Sequence, residues 1–196
     1  MMDKFALLVS PKIVSLAAHA LFWPIASTQL LMNKMGYLDW YSEVFRVENQ
    51  SIPGLSYPAG GRILLGGIPW PESTRQTLLK QENVSAVVNL VSEKDFPFSV
   101  EKRLDIPLAD FVHPKTEDIK PAIEFIDKCL SEGRTVYVHC RAGKGRSATV
   151  VMCWLVSRMH MDPETAQEYL TRKRPQILQS LKDRDVVKEF SSRKNS

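Results

Sequence analysis

The fold of this chain is decided by HCRAGKGRS, residues 139–147. The stretch follows a β-branched and aromatic run at 135–138 (TVYV) and precedes an almost wholly apolar run at 148–156 (ATVVMCWLV). The first run is typical of a buried strand, and the second of a buried helix. The nine residues between them are therefore predicted to form a strand-to-helix turn.

The two glycines inside this turn, Gly143 and Gly145, allow the backbone to coil tightly, so that successive N–H groups point into one hollow. The helix that follows presents the positive end of its dipole to the same hollow. A turn of this kind binds a phosphate-sized anion. The predicted phosphate-binding residues are Arg141, Ala142, Gly143, Lys144, Gly145 and Arg146.

A cysteine at the start of the turn adds reactivity to anion binding. Helix N-termini and nearby cations lower cysteine pKa values to roughly 3.5–7.5, so Cys140 is predicted to be a thiolate. Arg146, six positions later, can hold two oxygens of a phosphoryl group with its planar fork. The phosphorus would then lie in line with the sulfur.

The spacing Cys-x5-Arg, with His139 before it and Ser147 after it, resembles the signature of the protein tyrosine phosphatase superfamily. The flanking His, the internal glycines, Ser147, and the strand and helix on either side are independent requirements of that signature. The alternative is that Cys140 is a buried packing residue, as Cys129 and Cys153 are expected to be.

Composition bounds the class of protein. At 196 residues with 44% hydrophobic side chains, the chain suits one domain with a full core plus a tail. A formal charge of +4 and a pI near 9.0 favour an acidic partner, but the excess is too small to indicate nucleic acid. The three cysteines form no Cys-x-x-Cys or Cys/His cluster, so we expect a reducing compartment, no disulfide framework and no metal or other cofactor.

The first 36 residues differ in composition from the rest. Residues 13–33 carry no Lys, Arg, Asp or Glu, and this run is just long enough to span a bilayer, for which ~20 apolar residues are needed. Pro24 and several polar residues leave three alternatives: a helix packed on the domain, a membrane-associated anchor, or a cleavable targeting segment. We expect membrane association or mitochondrial import, with 37–190 as the domain and 191–196 as a polar tail.

Strand and helix patterns alternate along the domain. Strands are predicted at 62–65, 84–91, 104–108 and 135–138, and helices at 71–81, 116–131, 147–160, 163–173 and 181–190. Thr116 or Asp118 is expected to cap the 116–131 helix. Residues 37–57 are expected to form an irregular docking segment. The alternation predicts an α/β fold with a central, mainly parallel sheet flanked by helices.

A thiolate that attacks a phosphate monoester expels an alkoxide, which needs a general acid from outside the loop. Asp110 lies thirty positions before Cys140, in a loop after a core strand, where strand ends meet the phosphate-loop edge of the sheet. The superfamily's general acid lies about this far upstream of its cysteine, so the resemblance implies Asp110. Asp105, inside the strand, and His113 are the rivals.

Two residues that flank the loop are assigned other roles. Ser147 is predicted to donate a hydrogen bond to the sulfur as it leaves in the second step, or to cap the helix, or both. His139 cannot easily reach the substrate and is expected to orient the loop. The loop amides and Arg146 are expected to stabilise the charge without a metal.

Within the dual-specificity group, the chain resembles the mitochondrial phosphatidylglycerophosphate phosphatases over about residues 60–190. The matching stretches include 66–69, 81–84, 87–90, 137–140 and 172–175, with weaker matches at 22–24 and 39–41. The family usually carries a Glu-rich run with a tyrosine after the strand that ends near Leu90. Here the run is Ser92-Glu93-Lys94-Asp95, a departure that bears on headgroup specificity.

The basic pair Arg141 and Lys144 favours an anionic lipid headgroup over phosphotyrosine, and solvated surface charge is the alternative. The resemblance implies hydrolysis of phosphatidylglycerophosphate to phosphatidylglycerol, in the cardiolipin pathway, at the mitochondrial inner membrane. The rivals are a dual-specificity protein phosphatase, a phosphoinositide phosphatase and a non-catalytic phosphate-binding module. A cytoplasmic location is the alternative to the mitochondrion.

Overall fold

A five-stranded sheet forms the centre of the fold. The computed structural model describes residues 31, 39–48, 57–70, 72–92 and 98–192. The strands are β1 (Tyr41–Arg46), β2 (Arg62–Gly66), β3 (Val84–Asn89), β4 (Lys102–Asp105) and β5 (Thr135–His139). The helices are α1 (Glu72–Gln76, continued by a π-helical turn over Thr77–Gln81), α2 (Thr116–Ser131), α3 (Arg146–Arg158), α4 (Pro163–Lys173) and α5 (Asp185–Ser192). Apart from residue 31, the predicted segment 1–36 lies outside the described residues, as do residues 93–97 and 193–196.

The strands lie in the order β1-β2-β5-β3-β4, with β1 antiparallel to β2 and the other pairs parallel. Every residue of β5 is buried, as a central strand with helices on both faces requires. The predicted mainly parallel α/β sheet is therefore confirmed. Because the carboxyl ends of parallel strands share one edge, Gly66 and Asn89 both pair with His139 beside the phosphate loop.

One face of the sheet packs against α3, whose residues are all buried from Arg146 to Val156. Only a helix covered on all sides tolerates so apolar a sequence, and the predicted central buried helix is confirmed. A smaller cluster covers the other face; it contains Leu64, Leu78, Val84, Val87, Phe98 and Tyr137. The loop before α3 is thus fixed at both ends in the core. In the described ranges no helix is both long enough and apolar enough to cross a bilayer.

The expectation of an irregular segment at 37–57 is wrong for Tyr41–Arg46, which form β1. Only Val44 of this strand is fully buried, because β1 lies at the edge of the sheet and its polar residues stay near solvent. The apolar–polar alternation of residues 41–46 was therefore too weak to predict a strand. Trp40 docks the start of the strand by donating its indole N–H to the Ile68 carbonyl at 2.6 Å.

Three predicted boundaries differ from the structure. The N-cap of α2 is Lys115, and Asp118 accepts its backbone N–H at 2.8 Å from the third helical position. Strand β4 ends at Asp105, two residues before Pro107, which has no N–H to donate to a ladder. Helix α5 begins at Asp185, because residues 180–184 form turns, with the Asp183 N–H donating to the Ser180 carbonyl and the Arg184 N–H to the Leu181 carbonyl.

Candidate active site

The phosphate loop, residues 140–145, joins β5 to α3 and packs tightly against the end of β2. Gly143 has a φ of +68°, and a Cβ there would lie 2.5 Å from the Gly66 oxygen and 2.7 Å from the Gly67 nitrogen. Only glycine fits both the left-handed backbone and this close approach. Of the two glycines of the turn, Gly143 is therefore the one whose lack of a side chain the coiled loop requires.

Cys140 lies at the floor of this loop and is 3% exposed. The Ser147 hydroxyl donates to its Sγ at 3.2 Å. Burial by itself raises the pKa of the Cys140 thiol, but the charge of Arg146 and hydrogen bonds from Ser147 and the Gly143 N–H outweigh burial. The pKa therefore lies below the ordinary value of a thiol, and the thiolate, which is the nucleophilic form, is favoured.

The other two cysteines have the opposite chemistry. Cys129 lies on α2 and Cys153 on α3, and both are fully buried in the core. Burial raises the pKa of Cys129 to about 11 and raises that of Cys153 as well. Their interpretation as packing residues agrees with this environment, and only Cys140 of the three is activated.

Arg146, the first residue of α3, is oriented by acceptors from two neighbouring strand ends. Its Nη1 donates to the Leu90 carbonyl at 3.2 Å and to the Leu108 carbonyl at 2.5 Å. Its Nη2 forms an ion pair with Oδ1 of Asp110. The side chain is 8% exposed, so the guanidinium is held beside Cys140 in a largely desolvated pocket.

Asp110 lies between two guanidinium groups. Arg146 binds one carboxylate oxygen, and Nη1 of Arg141 binds the other at 2.7 Å. A buried carboxylate needs such compensation, because an uncompensated buried charge costs several kcal/mol, roughly 3–5 when one partner of a pair is removed. The predicted general acid is therefore in the site, and its carboxylate occupies a donor of Arg146 that a phosphate oxygen could use.

The position of Arg141 differs from the sequence expectation. We expected it to face a lipid headgroup together with Lys144, but its side chain is only 4% exposed and binds Asp110. The reason is that the residue after Cys140 lies under the loop that carries Asp110, where the buried carboxylate requires a cation. A direct contact between Arg141 and a headgroup stays a prediction, and it would require Asp110 to move.

The remaining loop residues lie at the rim. Lys144 is partly exposed, and its carbonyl accepts the Leu178 N–H at 3.0 Å. Ala142 and Gly145 are also partly exposed, and Gly145 is the N-cap of α3, with its carbonyl accepting the Thr149 N–H at 2.8 Å. Of the two basic residues singled out by sequence, Lys144 alone reaches the surface.

His139 is buried and its ring stacks on Tyr137, with centroids 5.3 Å apart. Burial lowers the pKa of His139 to about 3, against the effect of a hydrogen bond with the Cys140 backbone. The imidazole is therefore neutral at physiological pH. It supports the backbone at Cys140 from below the loop, a position that fits the predicted orienting role and excludes direct contact with substrate.

Neither rival general acid is placed as Asp110 is. Asp105 ends β4 and accepts hydrogen bonds from Arg103 at 2.8 Å and from Asn89 at 2.7 Å. The bonds from Arg103 hold the pKa of Asp105 below its usual value, and its hydrogen bonds join it to Arg103 and Asn89 and not to the phosphate loop. His113 is exposed. Within the described ranges, no three metal-ligating side chains form a cluster.

Two arginines near the loop were not assigned a role from sequence. Nη1 of Arg184 donates to the Thr149 hydroxyl at 2.5 Å, one turn into α3. Nε of Arg174 donates to the Gly143 carbonyl at 2.9 Å, and Arg174 is fully buried. The sequence contained one signal for Arg174, which belongs to the 172–175 stretch that carries the family resemblance.

Comparison with known proteins agrees with this geometry. The dual specificity phosphatase catalytic domain matches residues 68–192. The phosphatidylglycerophosphate phosphatase PTPMT1 of Arabidopsis thaliana is 34% identical over 91% of this chain and 50% of its own length. The human phosphatidylglycerophosphatase and protein-tyrosine phosphatase 1 is 28% identical over 88% of this chain and 85% of its own length.

The chain spans 50% and 59% of the lengths of two Arabidopsis relatives that it matches. A crystal structure of PTPMT1 in complex with PI(5)P superposes with a TM-score of 0.57 at 26% identity, and covers 80% of this chain and 99% of that one. The matched domain includes the loop, the nucleophile position, Arg146 and Asp110. The chain therefore belongs to the family of dual-specificity phosphatase catalytic domains and, within it, resembles the phosphatidylglycerophosphate phosphatases.

Proposed function

We propose that this protein is a cysteine-dependent phosphatase that hydrolyses the phosphate monoester of phosphatidylglycerophosphate. The observation that carries the proposal is the activated thiol of Cys140, 3.2 Å from the Ser147 hydroxyl and in the charge field of Arg146. A phosphate-binding module would need the loop amides and Arg146, but neither a lowered thiol pKa nor a carboxylic acid at its mouth. The names of the relatives support the choice of substrate.

In the first step, the substrate phosphate displaces the Asp110 carboxylate from Arg146. The Cys140 thiolate attacks phosphorus in line, an S–P bond forms, and the P–O ester bond breaks with its electron pair on the leaving oxygen. The displaced Asp110 carboxylate first takes up a proton from solvent, and the leaving oxygen takes that proton as the ester bond breaks. The nearby phosphate dianion favours the neutral acid, because like charges raise a carboxyl pKa.

In the second step, a water molecule hydrolyses the phosphocysteine. The water oxygen attacks phosphorus while Asp110, now a carboxylate, takes a proton from the water. The P–S bond breaks with the electron pair on sulfur. The Ser147 hydroxyl stabilises the departing thiolate by its hydrogen bond. Inorganic phosphate leaves, Asp110 releases the proton to solvent, and its carboxylate can return to Arg146.

Apolar side chains at the site support a lipid substrate. Phe111 and Val112, which follow Asp110, are 65% and 41% exposed, and Leu178, bonded to Lys144, is 43% exposed. These three account for most of the large exposed hydrophobic side chains in the described part of the chain. Exposed apolar groups beside a site mark a lipid or protein contact. We assign them to the glycerol and acyl region of the substrate, with Lys144 near its headgroup.

A second candidate is a protein or phosphoinositide phosphatase. It is favoured by the human relative, whose name includes protein-tyrosine phosphatase, and by the neighbour solved with PI(5)P. The test measures phosphate release by the purified chain from phosphatidylglycerophosphate, phosphoinositides and phosphopeptides, with Cys140→Ser as the blank. Higher kcat/KM on phosphatidylglycerophosphate supports the proposal, whereas a preference for phosphopeptides would contradict it.

We also propose a mitochondrial membrane location, with residues 1–36 as the anchor or targeting segment and 37–190 as the catalytic domain. The uncharged run at 13–33 and the mitochondrial family resemblance support it. The test compares fractionation of the full chain with that of a chain lacking residues 1–36. An active shortened chain that leaves the mitochondrial membrane supports the proposal, and one that remains there would contradict it.

A further inference from the structure

Arg174 is the most deeply buried charged side chain beside the phosphate loop. It follows the last residue of α4 and is 0% exposed. Nε donates to the Gly143 carbonyl at 2.9 Å, and Nη1 donates to the Ser42 hydroxyl at 3.2 Å and to the Asp39 carbonyl at 3.3 Å. Nη2 donates to the Trp40 carbonyl at 3.4 Å. All of these acceptors are neutral.

A buried guanidinium bonded only to neutral acceptors is costly, because hydrogen bonds satisfy its donors but leave its charge uncompensated. A neutral side chain could hold the same carbonyl groups at lower cost. Burial lowers the pKa of Arg174, whereas interactions with Tyr137, Cys140 and Asp39 act in the opposite direction. An arginine still keeps its proton in proteins. Arg174 is therefore a buried cation on the inner side of the loop that carries Cys140.

The bond to Gly143 connects this cation to the geometry of the loop. Gly143 is confined on one side by the backbone of Gly66 and Gly67, and on another by Arg174. The N–H of Gly143 is one of the groups that lower the pKa of Cys140. A change at Arg174 therefore affects both the charge near the sulfur and the residue that donates to it.

We propose that Arg174 is a positioning residue that holds the phosphate loop from its inner side and favours the thiolate form of Cys140 through its charge. The inference deepens the proposed phosphatase function and takes its catalytic meaning from it. Arg174 touches neither substrate nor sulfur, so it acts through Gly143 and through the field it produces. A merely structural role, a tie between the start of β1 and the loop, would leave the ionisation of Cys140 unchanged.

The experiment measures the pH dependence of Cys140 alkylation by iodoacetamide, a neutral reagent, followed by mass spectrometry of the Cys140 peptide. Arg174→Gln keeps hydrogen-bond donors and removes the charge, whereas Arg174→Lys keeps the charge and loses the planar fork. Ser42→Ala is the matched control, because it removes one acceptor and leaves the cation. Circular dichroism and thermal unfolding check that each variant is folded.

We expect Arg174→Gln to raise the apparent pKa of Cys140 by about 1, within the range that a nearby charge produces. Arg174→Lys and Ser42→Ala should stay within ~0.3 of wild type, less than that effect. An unchanged pKa in folded Arg174→Gln would overturn the proposal. If Arg174→Gln does not fold, Arg174→Lys decides: a pKa within ~0.3 of wild type supports the charge argument, and a shift of about 1 contradicts it.

This readout is independent of the proposed substrate. Alkylation reports the thiolate without any turnover, so a failure on phosphatidylglycerophosphate and a failure at Arg174 give different results. With turnover measured as well, Arg174→Gln should lower kcat/KM on a small aryl phosphate by up to about tenfold at a pH below the wild-type pKa of Cys140. The loss should shrink at pH 8, because the thiolate fraction of the variant recovers as pH rises through its higher pKa.

Discussion

Two arginines lie on opposite sides of one loop and differ in what they bind. Arg146 pairs with the Asp110 carboxylate, which is carried by a surface loop and can be exchanged for a phosphate. Arg174 is bonded to backbone carbonyls and one hydroxyl, which are permanent parts of the fold. Burial alone therefore does not define a catalytic arginine. The one with an exchangeable acidic partner is placed to handle substrate, and the one with fixed neutral partners holds the loop.

The largest loss of activity is expected at Arg146, where the planar guanidinium fork is needed. Arg146→Lys should lower kcat/KM by about 10³, because an ammonium group cannot hold two phosphoryl oxygens in the plane of a fork. The matched change, Arg174→Lys, should cost less than ~10-fold, since it keeps the charge. Steady-state kinetics on an aryl phosphate compare the two. Similar losses at both positions would remove the distinction between them.

Removal of the Asp110 carboxylate tests whether the partner of Arg146 is exchanged for phosphate. Asp110→Asn should slow hydrolysis of an alkyl phosphate by ~10²–10⁴, the usual loss for a missing general acid. An aryl leaving group needs less protonation and should lose less. Inorganic phosphate should bind Asp110→Asn at least as tightly as wild type, because no carboxylate competes for Arg146. Weaker binding, or equal losses on both esters, would argue against the exchange.

Substitutions of the two basic loop residues should differ in how their loss of kcat/KM depends on the substrate. Arg141→Ala removes a cation from Asp110 and should lower kcat/KM about tenfold on both lipid and aryl phosphates. Lys144→Ala should lower kcat/KM about fivefold on phosphatidylglycerophosphate only, the size of a solvent-exposed ion pair of ~1 kcal/mol. Lys128, exposed on α2, provides the control Lys128→Ala, for which no change is expected. A lipid-specific loss in Arg141→Ala would restore its headgroup role.

The smallest effect concerns the apolar side chains at the mouth. The double variant Val112→Ser with Leu178→Ser should lower the rate on phosphatidylglycerophosphate in vesicles by about threefold, or ~0.7 kcal/mol. The rate on a soluble aryl phosphate should not change, because that substrate has no acyl region for these side chains to contact. A parallel loss on both substrates would mean that these residues stabilise the site and do not contact lipid.

The sequence predicted the residues of the active site better than the residues that hold them in place. The Cys140-x5-Arg146 spacing located the loop because all its residues are local, and the apolar run at 148–156 identified α3 for the same reason. The partners of Arg174 lie up to 135 positions away, and only sheet topology brings them together. The pairing of Arg141 with Asp110 was missed for the same reason. Strand β1 was missed because an edge strand carries too few apolar residues to show a pattern.

The central claim is that the sulfur of Cys140 becomes covalently bound to the phosphate. Rapid acid quench of the chain with ³²P-labelled substrate, followed by peptide mapping, tests this directly. Asp110→Asn with an aryl phosphate should accumulate the intermediate, because the first step needs little acid and the second lacks its base. We expect label on the Cys140 peptide and none in Cys140→Ser. Label on another residue, or substantial turnover by Cys140→Ser, would contradict it.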